Sequence, residues 1–355
     1  VSRTGRNLAP GDFRVAGGPS VWLGCAPPGA QGLVAAAGLV DIHMHGSAGV
    51  DFAAANAEAL ATAGTGLLAA GTTAYQASLI TAPEDELIAA LGRLQRAPAH
   101  PRLIGAHLEG PFLSPEKLGT HSAKHRRDPD LSLARRLLDA GDVTMVTLAP
   151  ELPGAHELIS LFHDRDVLIS LGHSDATAEE AHAGFDAGGR AATHVFNAMR
   201  PLHHRDPGIA GVALARSDVT VELIVDGHHL HPDTVRLAWH AAAGRVALVT
   251  DGIAAAGLGD GTYRLGDVEV TVRDGAARNP AGALAGSTLT MLQAVRNLHA
   301  LGVPLPEAVD AATGVPARLV GREDLGLLVA GTVADIIVLD DRLELQACLV
   351  DGEQT

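Results

Sequence analysis

Several things are scarce in this 355-residue chain. It has two cysteines, Cys25 and Cys348, near opposite ends and outside any Cys-x-x-Cys pattern. Two such residues do not make a disulfide framework and read as free thiols, and a cysteine-ligated metal site is excluded. Aromatic residues make up only 3% of the chain, too few for platforms that stack bases or sugars. No run of apolar residues is long enough for a membrane-spanning helix. Positive charge is in the minority: the formal net charge is −15 and there is no long basic run, which argues against nucleic-acid binding. Any anionic substrate would need a local pocket of Arg or His. The first ten residues carry Arg3 and Arg6 with no apolar run of signal-peptide type behind them. The expectation is a cytoplasmic protein without a membrane partner.

What is plentiful is apolar residues, at 47%, and histidine, at 18 residues. The length fits one large barrel-type domain or two ordinary ones. Apolar, β-branched runs recur at Gly38–His43, Thr72–Gln76, Arg102–His107, Val143–Leu148, Val167–Ser170, Ala191–His194, Val219–Val225 and Arg245–Thr250. Between them lie helical stretches such as Asn56–Ala69, Pro83–Arg96, Leu131–Ala140, Leu158–Asp164, Ala178–Ala187 and Pro232–Ala242. This alternation predicts an α/β fold, a closed (β/α)8 TIM-type barrel over 38–329. The alternative is an open doubly wound sheet, but its Gly-rich phosphate loop is missing after the first strand. Short strand-like pieces at both ends predict a small β-sandwich-like domain from 1–37 and 330–355. After the eighth run, Tyr263–Arg273 reads as a hairpin. Ser287–Ala300 reads as a helix capped by Ser287 or Thr288, and Pro306–Thr313 as a short one.

Active sites of such barrels lie at the C-terminal ends of the strands, and the polar residues collect there. The first run ends in His43-Met44-His45, two imidazoles on one face of a strand. The third ends in His107-Leu108-Glu109, and the fifth leads into His173-Ser174-Asp175. The sixth ends in His194, the seventh in Asp226-Gly227-His228-His229, the eighth in Thr250-Asp251. His, Asp and Glu without cysteine suit zinc or a similar first-row ion in a catalytic setting. From strand position alone, Glu109 and Asp251 are candidates to take a proton from bound water and pass it to a leaving amine. His121 lies on a loop after Glu109 that could reach the same mouth.

With these residues assembled, the chain resembles the amidohydrolase superfamily and, within it, the N-acetylglucosamine-6-phosphate deacetylase family. The resemblance runs from about Gly38 to Leu339. It rests on the ordered set Gly38-Leu39-Val40-Asp41-Ile42-His43-Met44-His45, His107-Leu108-Glu109-Gly110-Pro111-Phe112, Gly119-Thr120-His121, Gly172-His173-Ser174-Asp175-Ala176, Thr193-His194-Val195-Phe196-Asn197-Ala198-Met199, Arg205-Asp206-Pro207-Gly208, Asp226-Gly227-His228-His229, Thr250-Asp251-Gly252 and Leu284-Ala285-Gly286-Ser287.

The resemblance implies removal of the acetyl group of N-acetyl-D-glucosamine 6-phosphate, with metal-activated water as nucleophile and Asp251 as general base and acid. It assigns Glu109, His173 and His194 to the core metal. His43 and His45 match the pair that holds a second ion in some members, with Glu109 bridging and Asp251 also among the implied metal ligands. The implied cofactor is a divalent metal, zinc first, with iron, manganese or cobalt as alternatives, one or two ions per subunit. His121 matches a residue polarising the acetyl carbonyl. Arg205 and His229 match phosphate contacts supplied in part by a neighbouring subunit, which implies a homodimer. Thr120, Asn197, Ala198, Leu284, Ala285, Gly286 and Ser287 match the sugar side. The chain departs from the family in lacking the usual proline before the first strand, where Ala35-Ala36-Ala37-Gly38 stands. At Leu148-Ala149-Pro150-Glu151 there is no lysine of the carbamylated bridging type, which speaks against the dihydroorotase and urease branches. Two other readings remain: a deacetylase or deaminase of a different small amide or amine, and a non-catalytic binding relative.

Overall fold

The structure, a computed structural model, describes residues 33–355 and the backbone of the strand Val21–Trp22. Cys25 and the rest of the first 32 residues lie outside the described residues. Eight parallel strands form one sheet in chain order: Leu39–Met44, Thr72–Ile80, Arg102–Glu109, Val143–Leu148, Leu168–Leu171, Ala191–Ala192, Thr220–Leu223 and Val246–Leu248. The first and eighth meet at their C-terminal ends. There Met44 and Gly252 form a parallel bridge, Asp251 N donates to His43 O at 2.9 Å and His45 N to Gly252 O at 2.7 Å. This seam makes the sheet a (β/α)8 barrel and excludes the open doubly wound alternative.

Helices cover the outside, and local chemistry explains where they begin. Asn56 accepts from Ala59 N ahead of Ala57–Ala69, and Asp130 from Ser132 N and Leu133 N ahead of Leu131–Ala140. Thr177 and Glu180 form a reciprocal capping box at the start of Ala178–Ala187. Each helix turns an apolar stripe inward, such as Leu87, Ala90, Leu91 and Leu94 of Glu84–Leu94. The main core lies between these stripes and the outer face of the barrel wall, where Leu108, Leu148 and Leu171 are fully buried. The inner face is different. Beneath the rim, His107 Nε2 lies 2.8 Å from Thr147 Oγ1, which meets Thr193 Oγ1 at 2.8 Å; that hydroxyl meets Ser170 Oγ at 2.6 Å.

The predicted hairpin is a three-stranded antiparallel sheet, Gly261–Leu265, Val268–Arg273 and Ala276–Arg278. Leu265, Val270, Val272 and Ala277 give it a small core with Ile80, Ile253 and Ala285. The helix expected from Ser287 begins later, at Met291, with Thr290 as its cap. Ser287 is held elsewhere: its Oγ donates to Thr250 O at 2.6 Å, and its main chain bridges Gly252. Tertiary bonding at the rim thus takes the residue that local pattern would assign to the cap. The predicted short helix from Pro306 spans Leu305–Asp310.

Strands from both ends of the chain lie side by side in a second, five-stranded sheet. Val34–Ala37 pairs antiparallel with Val21–Trp22 and with Ile336–Leu339, followed by Leu345–Val350 and Glu353–Gln354. Cys348 is a buried free thiol in this sheet.

Candidate metal centre

Glu109 ends the third barrel strand and stands at the middle of a buried cluster. Its Oε1 lies 3.0 Å from His194 Nε2, 3.1 Å from His173 Nε2 and 3.4 Å from His43 Nε2. Its Oε2 lies 3.1 Å from both His45 Nε2 and His121 Nε2. Two compact groups result, His43–His45–Glu109 and Glu109–His173–His194. Asp251 stands beside the first, its Oδ1 3.4 Å from His45 Nε2 and 3.8 Å from His43 Nε2.

Backbone geometry aims these groups. His173, His194 and Asp251 follow their strands at positive φ of 48°, 29° and 47°. Non-glycine residues hold such angles only where the surroundings over-determine them, and such angles cluster at functional sites. Gly286 also has positive φ, 60°, and there the space is decisive: a Cβ would sit 2.5 Å from Ile253 Cγ2 and 2.8 Å from Asp251 O.

The fit to a cation follows from the ring partners. His173 Nδ1 donates to Lys117 O at 2.9 Å, and His43 Nδ1 to Glu222 Oε2 at 3.0 Å. In neutral rings these bonds leave the Nε2 lone pairs facing the Glu109 carboxylate and, for His173, the ring nitrogen of His194 at 3.1 Å. His43 Nε2 is buried with no hydrogen-bond partner. Acceptor against acceptor in a dry site is unfavourable unless a proton or a metal ion lies between them. Burial opposes a proton on His43, but Glu109 and Glu222 raise it well above the ordinary imidazole range, so in the metal-free protein a proton stands where an ion would bind. The donor set of imidazole and carboxylate suits a divalent first-row ion.

The electrostatics agree. Burial pushes the Glu109 carboxyl up, but the imidazoles around it, His43 first, hold it well below the usual carboxylate range. Burial opposes the His45 cation, yet bonds to Asp251 and Glu109 raise it to about 9. Burial, with His173 alongside, brings His121 down to about 4.

A cavity of about 240 Å³ opens above the cluster. His45, Glu109, His173, His194 and Asp251 form its floor, and Thr120, His121, Asn197, Ala198, His229, Leu284 and Gly286 its walls, with Leu265 reaching in from the hairpin sheet. Thr120 Oγ1 donates to Leu284 O at 3.1 Å, joining two of the wall segments. His229 is fixed by Asp226, whose Oδ2 lies 2.7 Å from Nδ1; burial opposes the imidazolium there, and this carboxylate raises its pKa.

Three residues singled out in the sequence lie elsewhere. Ala285 is buried in the hairpin sheet's core, and Ser287 is spent on Thr250. Arg205 is exposed on the turn closed by His203 and Asp206, its Nη1 2.7 Å from His204 Nε2, and does not line the cavity. Two buried residues behind the cluster were not singled out. Asp41 accepts from Thr250 Oγ1 and His43 N, and burial raises it to about 6. Glu222 stands behind His43. Both are acidic residues inside apolar strand runs, and that is the signal by which sequence could have found them.

Comparison with known proteins gives a consistent result. The amidohydrolase family profile matches residues 34–354. An N-acetylglucosamine-6-phosphate deacetylase from Vibrio furnissii is 35% identical over 323 residues, covering 89% of this chain and 81% of the relative. An N-acetylgalactosamine-6-phosphate deacetylase from Escherichia coli O157:H7 is 37% identical, covering 88% and 85%. Among solved structures, an N-acetyl-D-glucosamine-6-phosphate deacetylase from Mycobacterium smegmatis, an Asp-to-Ala mutant in complex with N-acetyl-D-glucosamine-6-phosphate, superposes with a TM-score of 0.86 at 40% identity, covering 90% of this chain and 86% of that one.

Proposed function

This chain belongs to the amidohydrolase family, and from that membership we propose that it hydrolyses N-acetyl-D-glucosamine 6-phosphate to D-glucosamine 6-phosphate and acetate. The observation that carries the reading is the convergence of five imidazoles on Glu109, with Asp251 beside them in the floor of a cavity sized for a small molecule. The names of relatives matched over most of the chain point the same way. In this reading the ion is zinc. When bound, it lowers the pKa of water towards neutrality and polarises an acyl oxygen.

The protein's own residues do the rest. Asp251 is fixed by the barrel seam on one side and faces the cavity on the other. It takes a proton from the attacking water and returns it to the departing amine. Asp251 is held below the ordinary carboxylate range: burial opposes this, and the hydrogen bond from His45, with the other imidazoles, outweighs burial. It therefore starts the cycle as the base. His121, aimed at Glu109 Oε2 from the cavity wall, orients the acyl oxygen. Asn197, Ala198 and the 284–286 segment border the sugar. His229, made a better cation by Asp226, meets the phosphate.

Arg205 has no carboxylate partner among the described residues and lies outside its own cavity. We take it to complete the phosphate site of a second subunit, in a homodimer. The division into a barrel, 38–329, and a β unit from both ends belongs to the same reading, as does a cytoplasmic location. Among the described residues, no helix is long and apolar enough to cross a membrane.

Acetate release from N-acetylglucosamine 6-phosphate, with and without chelator and added zinc, is the direct test. The expected outcome is turnover that chelation abolishes and zinc restores; none under any metal would overturn the reading. The 37% identity to an N-acetylgalactosamine-6-phosphate deacetylase favours a second reading, the C4 epimer. Competing the two epimers decides it by their kcat/KM ratio, and a panel of small amides and amines tests the wider deacetylase or deaminase alternative.

A further inference from the structure

Glu222 has no part in the chemistry above, yet it is among the most confined charged groups of the barrel. It sits in the seventh strand, Thr220–Leu223, fully buried. Its Oε2 receives two donors, His43 Nδ1 at 3.0 Å and the main-chain N of His194 at 3.3 Å. Its own main-chain oxygen accepts from Val195 N at 2.9 Å. Oε1 is buried with no hydrogen-bond partner. A carboxylate inside a barrel is costly to bury, and a branched apolar side chain would fill the space more cheaply. What the acid provides that an apolar residue could not is a fixed acceptor behind His43.

That acceptor decides which nitrogen of His43 carries the proton. With Nδ1–H held by Glu222, Nε2 is the nitrogen left to exchange its proton for an ion; it faces Glu109 Oε1, 3.4 Å away, and has no hydrogen-bond partner. The same oxygen holds the His194 main chain at the point where it leaves its strand with positive φ. Glu222 therefore touches a ligand of each group without lining the cavity.

We propose that Glu222 is a positioning residue that commits His43 to metal binding and so governs whether the His43–His45–Glu109 group takes up a second ion. The proposal rests on the metal-centre reading above but not on the identity of the substrate. His43 is the lever, because its ring orientation and tautomer depend on the carboxylate. His194 is held through its main chain, which a side-chain change disturbs less.

The test uses the full chain, stripped of metal and reloaded with zinc. Bound ions are counted by mass spectrometry of the metal, and affinities are read by chelator competition. Glu222→Met keeps the bulk and removes the acceptor; Glu222→Gln can still accept from Nδ1–H. The expected result is that Glu222→Met weakens the second ion about 10–100-fold, the range for lost outer partners of a metal ligand, while the first is held nearly as before. Glu222→Gln should restore most of the loss. His43→Ala should lose the second ion, and adding Glu222→Met to it should change nothing more.

Equal weakening of both ions, in step with a lower melting temperature of the stripped protein, would mean a merely structural role and overturn the proposal. So would unchanged binding, or a wild-type protein that never takes a second ion. If Glu222→Met does not fold, the imidazole nitrogen spectrum of the zinc-loaded wild-type protein decides. A neutral His43 carrying its proton on Nδ1 supports the proposal, and one carrying it on Nε2 defeats it. If the ions behave as expected but no acetate is released, the deacetylase reading falls and the role of Glu222 stands.

Discussion

The two ligand groups that share Glu109 are built by different means. His173 and His194 leave adjacent strands through left-handed backbone, and the His173 ring is oriented by a main-chain carbonyl, Lys117 O. His43 and His45 lie two apart, His43 in the first strand and His45 just past its end. The His43 ring is oriented by a carboxylate, Glu222, and His45 stands against Asp251. The His173 ring is thus set by main chain and the His43 and His45 rings by side chains, while Glu222 reaches the first group only at the His194 main-chain N–H. A main-chain arrangement persists through most substitutions around it, whereas a side-chain arrangement is one substitution from change. The second group is therefore the adjustable half of the centre.

The most severe way to break this contrast is to remove what the halves share. Glu109→Gln should abolish tight binding of both ions and take turnover to background, as read by metal content and acetate release. Retention of either ion would mean that the halves are independent.

Next in size is Asp251→Asn. It stands beside the adjustable half, and the proposed mechanism makes it the proton carrier, so kcat should fall about 10²–10⁴-fold, the usual worth of a positioned acid–base group, while metal content stays near that of the wild type. Loss of an ion with activity would move Asp251 from proton transfer to ligation.

The third prediction sharpens the contrast through pH. His45 in the stripped protein is raised to about 9, so below that pH a proton occupies the nitrogen that a metal would use. Burial opposes a proton on His43 of the same group, but Glu109 and Glu222 raise it well above its ordinary range too. Uptake by the second group should therefore weaken by at least about tenfold per pH unit as pH falls below about 9. The stripped protein itself should behave oppositely. Its His45 contribution to stability is complete below the unfolded pKa of about 6.5 and is lost as pH rises through about 9. Chelator titrations and melting temperatures across pH 6–10 (about the range spanned by these pKa values) check both signs.

The smallest expected effect belongs to a residue of neither group. Arg205→Ala should raise KM for the phosphorylated sugar by about 10–100-fold, the loss of one charge-assisted contact. It should leave unphosphorylated N-acetylglucosamine and the metal content unchanged. Equal effects on both sugars would discard the phosphate role.

Much of this was legible in the sequence because strand ends announce themselves. Leu131–Ala140 and Ala178–Ala187 occupy the residues that their 3.6-residue periodicity predicts, and Asn56 caps the helix it precedes. Glu109, His173, His194, His43 and His45 stand at or just past strand ends, and the structure brings each of the four imidazoles to within 3.4 Å of the Glu109 carboxylate. What escaped depends on contacts across the barrel. Ser287, Thr288 and Thr290 can each cap a helix, and only the bond from Ser287 to Thr250 decides among them. Glu222 sits in an apolar run whose pattern reveals a buried acid but not its partner, 179 residues away. Arg205 carries no local sign of which cavity it serves.

The barrel closes where its first and last strands touch, and Asp251, the proposed proton carrier, sits on that join. Asp251 donates its main-chain N–H to the residue that bears one ligand, and the next residue receives the N–H of another. A zip that fails there first would separate acid from imidazole while the remaining seven strand pairings still hold. Were the join to open first, catalytic competence and global unfolding would be uncoupled: warming or mild denaturant would silence the enzyme while its circular dichroism still reported a folded chain.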